Sequence, residues 1–127
     1  MTGKIALLDT NVIIDNAKAK LSMQNIVNKY SQIFISIITY VEILGFNFKN
    51  EVEQKLIVNL IRNLPISYID LKIADFAVKY RQLKKIKLAD SLIFATAKSL
   101  NADLITSNVS DFINFDKSIR IIKPAKL

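Results

Sequence analysis

The sequence predicts a three-layer α/β/α domain on a mostly parallel sheet of about five strands. Short, mostly apolar β-branched runs alternate with longer segments of helical periodicity. Those helical segments come in pairs, as expected where right-handed crossovers join parallel strands. At 127 residues, 51% of them hydrophobic, one domain over residues 1–127 is expected. A chain of that size buries roughly two-thirds of its unfolded surface without covalent staples.

Taken in order, "KIALL" (4–8) reads as the first strand, followed by a helical pair in "TNVIIDNAKAK" and "SMQNIVNKY". "QIFIS" (32–36) is the second, and "IITYVEILGFNF" with "NEVEQKLIVNLIRNL" the next pair, where Leu56, Leu60 and Leu64 repeat at helical spacing. "ISYI" (66–69) is the third. The following pair is "LKIADFAVKYRQLKK" and "LADSLIFATAKSL", the latter with Leu92, Ala95 and Ser99 beside Ile93 and Ala97. "DLIT" (103–106) and "IRII" (119–122) close the series. No linker, repeat or low-complexity tract interrupts it, and the order is β-αα-β-αα-β-αα-β-β.

Composition removes several kinds of chemistry. With Cys 0 and His 0, there are no disulfides, thiolate nucleophiles, imidazole bases or cysteine- and histidine-ligated metals. Two glycines, Gly3 and Gly45, cannot build a phosphate-cradling loop. Asp9 cuts the N-terminal apolar run below signal-peptide length and nothing approaches a membrane span, so a soluble, cytoplasmic protein is expected. A net charge of +7 favours polyanionic partners. The densest basic stretch, "KYRQLKKIK" (79–87), reads on its own as a solvated helix face.

Several carboxylates are out of place. Asp9 ends the first strand, between Leu8 and the apolar Val12, Ile13 and Ile14. Glu42 has Ile38, Thr39, Gly45 and Phe46 as helical neighbours, and Asp90 shares its side with Ile86, Ile93, Phe94 and Ala97. Asn108 and Asp111 follow the fourth strand. If strands one and four are adjacent, these groups share the crevice at the carboxyl ends of the strands. Each has a plain alternative: Thr39 and Glu42 match a capping box, Asp90 could stabilise a helix start, Asp9, Thr10 or Asn11 could cap the first helix, and Asp111 could form a turn. Capping alone does not explain the set. Converging carboxylates repel one another, and oxygen-only ligands select a hard cation, Mg²⁺ or Mn²⁺, which can activate water against a phosphodiester.

"LLDTNVIID", "SIITYVEIL", "LADSLIFATA" and "LITSNVSDF", in this order and spacing, resemble the PIN-domain ribonucleases, and more narrowly the VapC-type toxins of toxin–antitoxin pairs. The resemblance implies a PIN-like fold with Asp9, Glu42 and Asp90 as the acidic site, Asp9 and Asp90 foremost as Mg²⁺ ligands. It implies a fourth acid two residues after Thr106, where this chain has Asn108, with Asp111 the nearest carboxylate. It also implies an RNA substrate, a small antitoxin that occludes the cleft, and a homodimer. Two other readings are a phosphoacceptor receiver module using Asp9, Asp70, Thr106 and Lys123, and a non-catalytic basic RNA-binding domain. The receiver reading leaves Glu42 and Asp90 unexplained.

Overall fold

The computed structural model of the chain describes residues 4–17, 23–112 and 115–127. Strands β1 (Ile5–Leu8), β2 (Gln32–Ser36), β3 (Ile66–Ser67), β4 (Asp103–Ile105) and β5 (Ile121–Ile122) form one parallel sheet in the order β3-β2-β1-β4-β5. The helices are α1 (Thr10–Ala17), α2 (Met23–Lys29), α3 (Ile37–Leu44), α4 (Glu51–Arg62), α5 (Leu71–Leu83), α6 (Leu88–Leu100) and α7 (Val109–Phe112), with a 3₁₀ turn at Pro124–Lys126. This is the expected α/β/α arrangement of a five-stranded parallel sheet.

Strand β1 lies at the centre, and Ala6, Leu7 and Leu8 are completely buried. Its alternate residues serve opposite layers, as the strand pleat requires. Leu7 and Leu104 join Ile73, Ala77, Ile93 and Phe94 from α5 and α6. Ala6, Leu8 and Ile105 join Val12, Ile26, Ile57 and Ile61 from α1, α2 and α4. Covering on both faces is why "IALL" is continuously apolar. The chain builds outward from β1 through β2 to β3, then returns to add β4 and β5 on the other side. The order therefore reverses between β1 and β4.

Several boundaries differ from the sequence reading. "ISYI" contributes only Ile66 and Ser67 to the sheet, because their partner β2 turns directly into α3 after the Ser36–Ser67 pair. Likewise "IRII" contributes only Ile121 and Ile122 to the opposite edge. Helix α3 begins at Ile37, capped by the Ser36 hydroxyl, which accepts from the Ile38 amide at 3.0 Å. The Thr39–Glu42 capping box is thereby corrected: Thr39 is a completely buried residue inside the helix. Helix α7 and the 3₁₀ turn leave no periodic trace in the sequence, since pieces of four and three residues are too short to display a period. Helix α1 is described to Ala17, so the expected continuation through Lys20 lies outside the described residues.

Candidate active site

Asp9 occupies the junction between β1 and α1. Its amide donates to the Ile105 carbonyl at 2.9 Å, one step beyond the β1–β4 ladder, and its carbonyl accepts from the Val12 amide at 3.1 Å. The strand thus becomes a helix without a loop, and the side chain is left at the carboxyl edge where strand order reverses. Asp9 is 7% exposed. Oδ1 accepts from the Thr10 amide at 2.8 Å, and Oδ2 accepts from the Thr106 hydroxyl at 2.8 Å and from Asn11 Nδ2 at 3.3 Å. Thr106, just past β4, is itself fixed, because its hydroxyl accepts from the Asn108 amide at 3.0 Å. The second tie between the two strand ends is Asn11, whose Oδ1 accepts from the Ser107 amide at 3.2 Å.

Glu42 reaches this edge from α3. The Thr10 hydroxyl donates to Glu42 Oε1 at 2.7 Å and lies 3.1 Å from the Thr39 hydroxyl. Glu42 itself is exposed, so its apolar helical neighbours do not enclose it as its spacing suggested. Burial pushes the Asp9 carboxyl up, and the nearby Glu42 charge pushes it the same way. Hydrogen bonds from Thr106, Thr10 and Asn11 oppose that rise without cancelling it. Asp9 is therefore a buried carboxylate that the protein orients closely while disfavouring its charge.

The remaining expected residues are spread along the same edge. Asp90 lies part-buried in the first turn of α6, whose N-cap is Lys87 without a side-chain cap bond. Asn108 follows Thr106 in the turn leading to α7 and is exposed. Asp111 is within α7, and its side chain falls outside the described residues. Among the described residues, no three acidic side chains form a group able to hold a metal ion together. The Glu42 charge acts on Asp9, and both offer hard oxygen donors of the kind that Mg²⁺ takes.

Four residues matter more here than the sequence suggested. Thr10 and Asn11, expected as caps, instead bridge to Glu42 and to the β4 end. Thr106 reads in sequence as the last β-branched residue of "DLIT", with no sign that its hydroxyl would meet Asp9. Asp15 had no expected role, yet its Oδ2 accepts from the Ser107 hydroxyl at 3.5 Å. Asp70, needed by the phosphoacceptor reading, follows edge strand β3, with β2 between it and β1. Its carboxylate caps α5, accepting from the Ile73 amide at 2.9 Å.

A reversal point in a parallel sheet, with an acid closing β1 and a second acid on α3, defines a carboxylate-centred site on an α/β/α scaffold. The PIN domain profile matches residues 6–118, and the chain belongs to that family. Among solved structures, it is 31% identical to a toxin–antitoxin complex from Klebsiella pneumoniae, over 94% of this chain and 97% of that one, with a TM-score of 0.76. It is 27% identical to VapBC-1 from nontypeable Haemophilus influenzae, over 95% and 98% of the two chains, with a TM-score of 0.76. DNA-bound VapBC from Salmonella typhimurium, at 24% identity over 95% and 98%, shares the fold with a TM-score of 0.79. No curated protein matches the chain. The kinship with VapC-type PIN chains read from the four motifs therefore stands. Chains of that type are nucleases, which places this one among the hydrolases. No helix among the described residues is long and apolar enough to cross a membrane.

Proposed function

We propose that the chain is a Mg²⁺-dependent endoribonuclease, the toxin of a toxin–antitoxin pair, acting in the cytoplasm as a homodimer. The observation that carries this reading is the Asp9 carboxylate. It is buried at the carboxyl edge of the sheet, held by three hydrogen bonds, and raised in pKa by burial and by the charge of Glu42. A divalent cation would relieve both effects. Asp9 and Glu42 would hold it, Asp90 from α6 would join once the ion draws the acids together, and Mn²⁺ would substitute because the donors are all oxygen. When bound, such an ion neutralises charge and acts as a Lewis acid at the phosphodiester.

The protein's own groups have distinct tasks. Thr106 and Asn11 fix the direction of the Asp9 carboxylate. Thr10 holds the Glu42 carboxylate, whose exposed end is free to orient the attacking water. Asn108 presents a neutral amide that can donate to a phosphate oxygen without adding repulsion, and Asp111 would complete the acidic set. RNA as substrate agrees with the net charge of +7. An antitoxin partner is inferred from the toxin–antitoxin complexes that the chain resembles. Exposed apolar residues such as Val41, Val52, Leu71 and Val78 offer surface for it and for a second subunit.

The test is cleavage of a labelled RNA by purified, folded protein with and without Mg²⁺, beside Asp9→Asn and Glu42→Gln. Cleavage that needs the metal and is lost in Asp9→Asn is expected. Folded wild-type protein that binds RNA but cuts none under any divalent metal would instead be a non-catalytic RNA-binding domain.

A further inference from the structure

A second feature lies beside the acidic site and takes no part in it. A cavity of about 680 Å³ runs along the open edge of the sheet beside β4 and β5. Lys4, Lys29, Arg120 and Lys123 line it, with Asp103 as the acid among them. That acid is already engaged: its Oδ2 accepts from the Tyr30 hydroxyl at 2.9 Å and lies 3.8 Å from Arg120 Nη1. Lys4, Lys29 and Lys123 are exposed and have no carboxylate partner among the described residues. Between the cations the lining is apolar, formed by Val109, Ile121, Ile122 and Leu127, all part-buried.

Three lysines without partners around an apolar floor suit a ligand that carries both phosphates and planar apolar groups. The volume falls in the range of small-ligand clefts, roughly 300–1,000 Å³. Position selects among such ligands. Val109 follows directly on Asn108, whose amide is bonded to the Thr106 hydroxyl that holds Asp9. The Thr106 amide donates to the Ile122 carbonyl at 3.0 Å, so Lys123 leaves β5 level with the site. From Lys123 the trough extends down the edge strand to Lys4 and Arg120 at the amino ends, about 10 Å at the strand rise. We propose that this trough is an RNA-binding exosite, taking the phosphates and bases of the single strand that continues from the bond held at Asp9. The proposal rests on the ribonuclease reading for its ligand class, and on the trough's own residues for its place.

The experiment is fluorescence anisotropy of a labelled single-stranded RNA with the full chain, in EDTA and across a range of salt. Wild type is compared with K4E/K29E/K123E and with K79E/K84E/K85E, which makes the same change in net charge on the α5 side. Circular dichroism checks folding, and the milder K29A/K123A pair stands in if the triple variant is unfolded. The trough variant should lose at least tenfold in affinity at about 0.1 M salt. Its log–log salt slope should shrink by about 2, near 0.7 for each lost phosphate contact. The control should lose clearly less. Equal losses in both triples, an unchanged trough variant, or binding of poly-glutamate in place of RNA would overturn the exosite. Cleavage in Mg²⁺, measured separately, reports on the ribonuclease reading: tight trough-dependent binding without cleavage sinks that reading alone, and cleavage with trough-independent binding sinks the exosite alone.

Discussion

Asp9 shows how a residue can be legible while its partners are not. A carboxylate closing an apolar strand run is conspicuous because burying a charge is costly. Thr106 is inconspicuous, since a β-branched residue at a strand end fits the strand pattern itself. Yet Thr106 supplies the leading hydrogen bond that opposes the rise in the Asp9 pKa. Replacing it with valine keeps the shape and removes both its bond to Asp9 and its acceptance of the Asn108 amide. Thr106→Val should cost about 1–3 kcal/mol in chemical denaturation near neutral pH, and Thr106→Ser should recover much of that. The pH dependence has a definite sign. Burial raises Asp9 in the folded state, so between its unfolded value, near 3.8, and its higher folded value the native protein binds more protons than the unfolded chain. This group therefore lowers metal-free stability as pH rises through that window. Thr106→Val should extend the decline to higher pH, and Asp9→Asn should abolish it. Asp116 has the opposite sign. Burial pushes its carboxyl up, but the Ser118 hydroxyl and amide, the Tyr80 hydroxyl and Lys98 outweigh burial and hold it at about 2. Asp116 thus adds stability above pH about 3.8 that is lost as pH falls toward 2. Asp116→Asn should flatten acid melts in that interval alone.

At the scale of elements, legibility follows length and packing. The helices α4, α5 and α6 are long enough for their apolar period to repeat, and β1 is buried on both faces, so each declares itself. The edge strands do not, because their extent is set by where the neighbouring strand stops. β3 ends where Ser36 turns into α3, and no property of Tyr68 or Ile69 announces that. Caps are less legible than helix starts for a related reason, since a capping residue acts only if the chain enters the helix there. Asp70 makes a sharp case: its sequence position suited a phosphoacceptor, and its geometry makes it the N-cap of α5. Asp70→Ala should cost about 1 kcal/mol in thermal or urea melts, with Asp70→Asn close to wild type. A phosphoacceptor would instead lose modification in Asn as fully as in Ala. At the other end of the next helix, Asn101 holds a left-handed conformation, φ 53°, as the C-cap of α6. Asn101→Gly should preserve or slightly raise stability there, while Asn101→Ala should lower it by about 1 kcal/mol.

At the scale of the molecule, the sheet order converts scattered residues into a site, and periodicity does not encode that order. The residues after β1 and those after β4 are almost a hundred positions apart, and only the return of β4 to the side of β1 brings Thr106 to Asp9. The four motifs were readable because their order matched a known family; the hydroxyl and amide ties among them were not. Whether the acids act as a set can be decided by melting the protein with and without Mg²⁺. A cation that binds only the folded state raises stability by RT ln(1 + [L]/Kd), about 2.7 kcal/mol at a hundredfold excess over Kd. In wild type, added Mg²⁺ should raise the melting temperature. Without metal, Asp9→Asn should be as stable as wild type or more so, because a raised carboxyl and its repulsion by Glu42 are removed together. With metal, the same variant should gain little. Asp90→Asn should behave likewise if Asp90 completes the metal site from the first turn of α6. If Asp90 only supports that helix end, Asp90→Asn should keep the full Mg²⁺ response and Asp90→Ala should lower stability with and without metal alike. An Mg²⁺ response intact in both Asp9→Asn and Asp90→Asn would place the ion elsewhere and overturn the assignment of these acids.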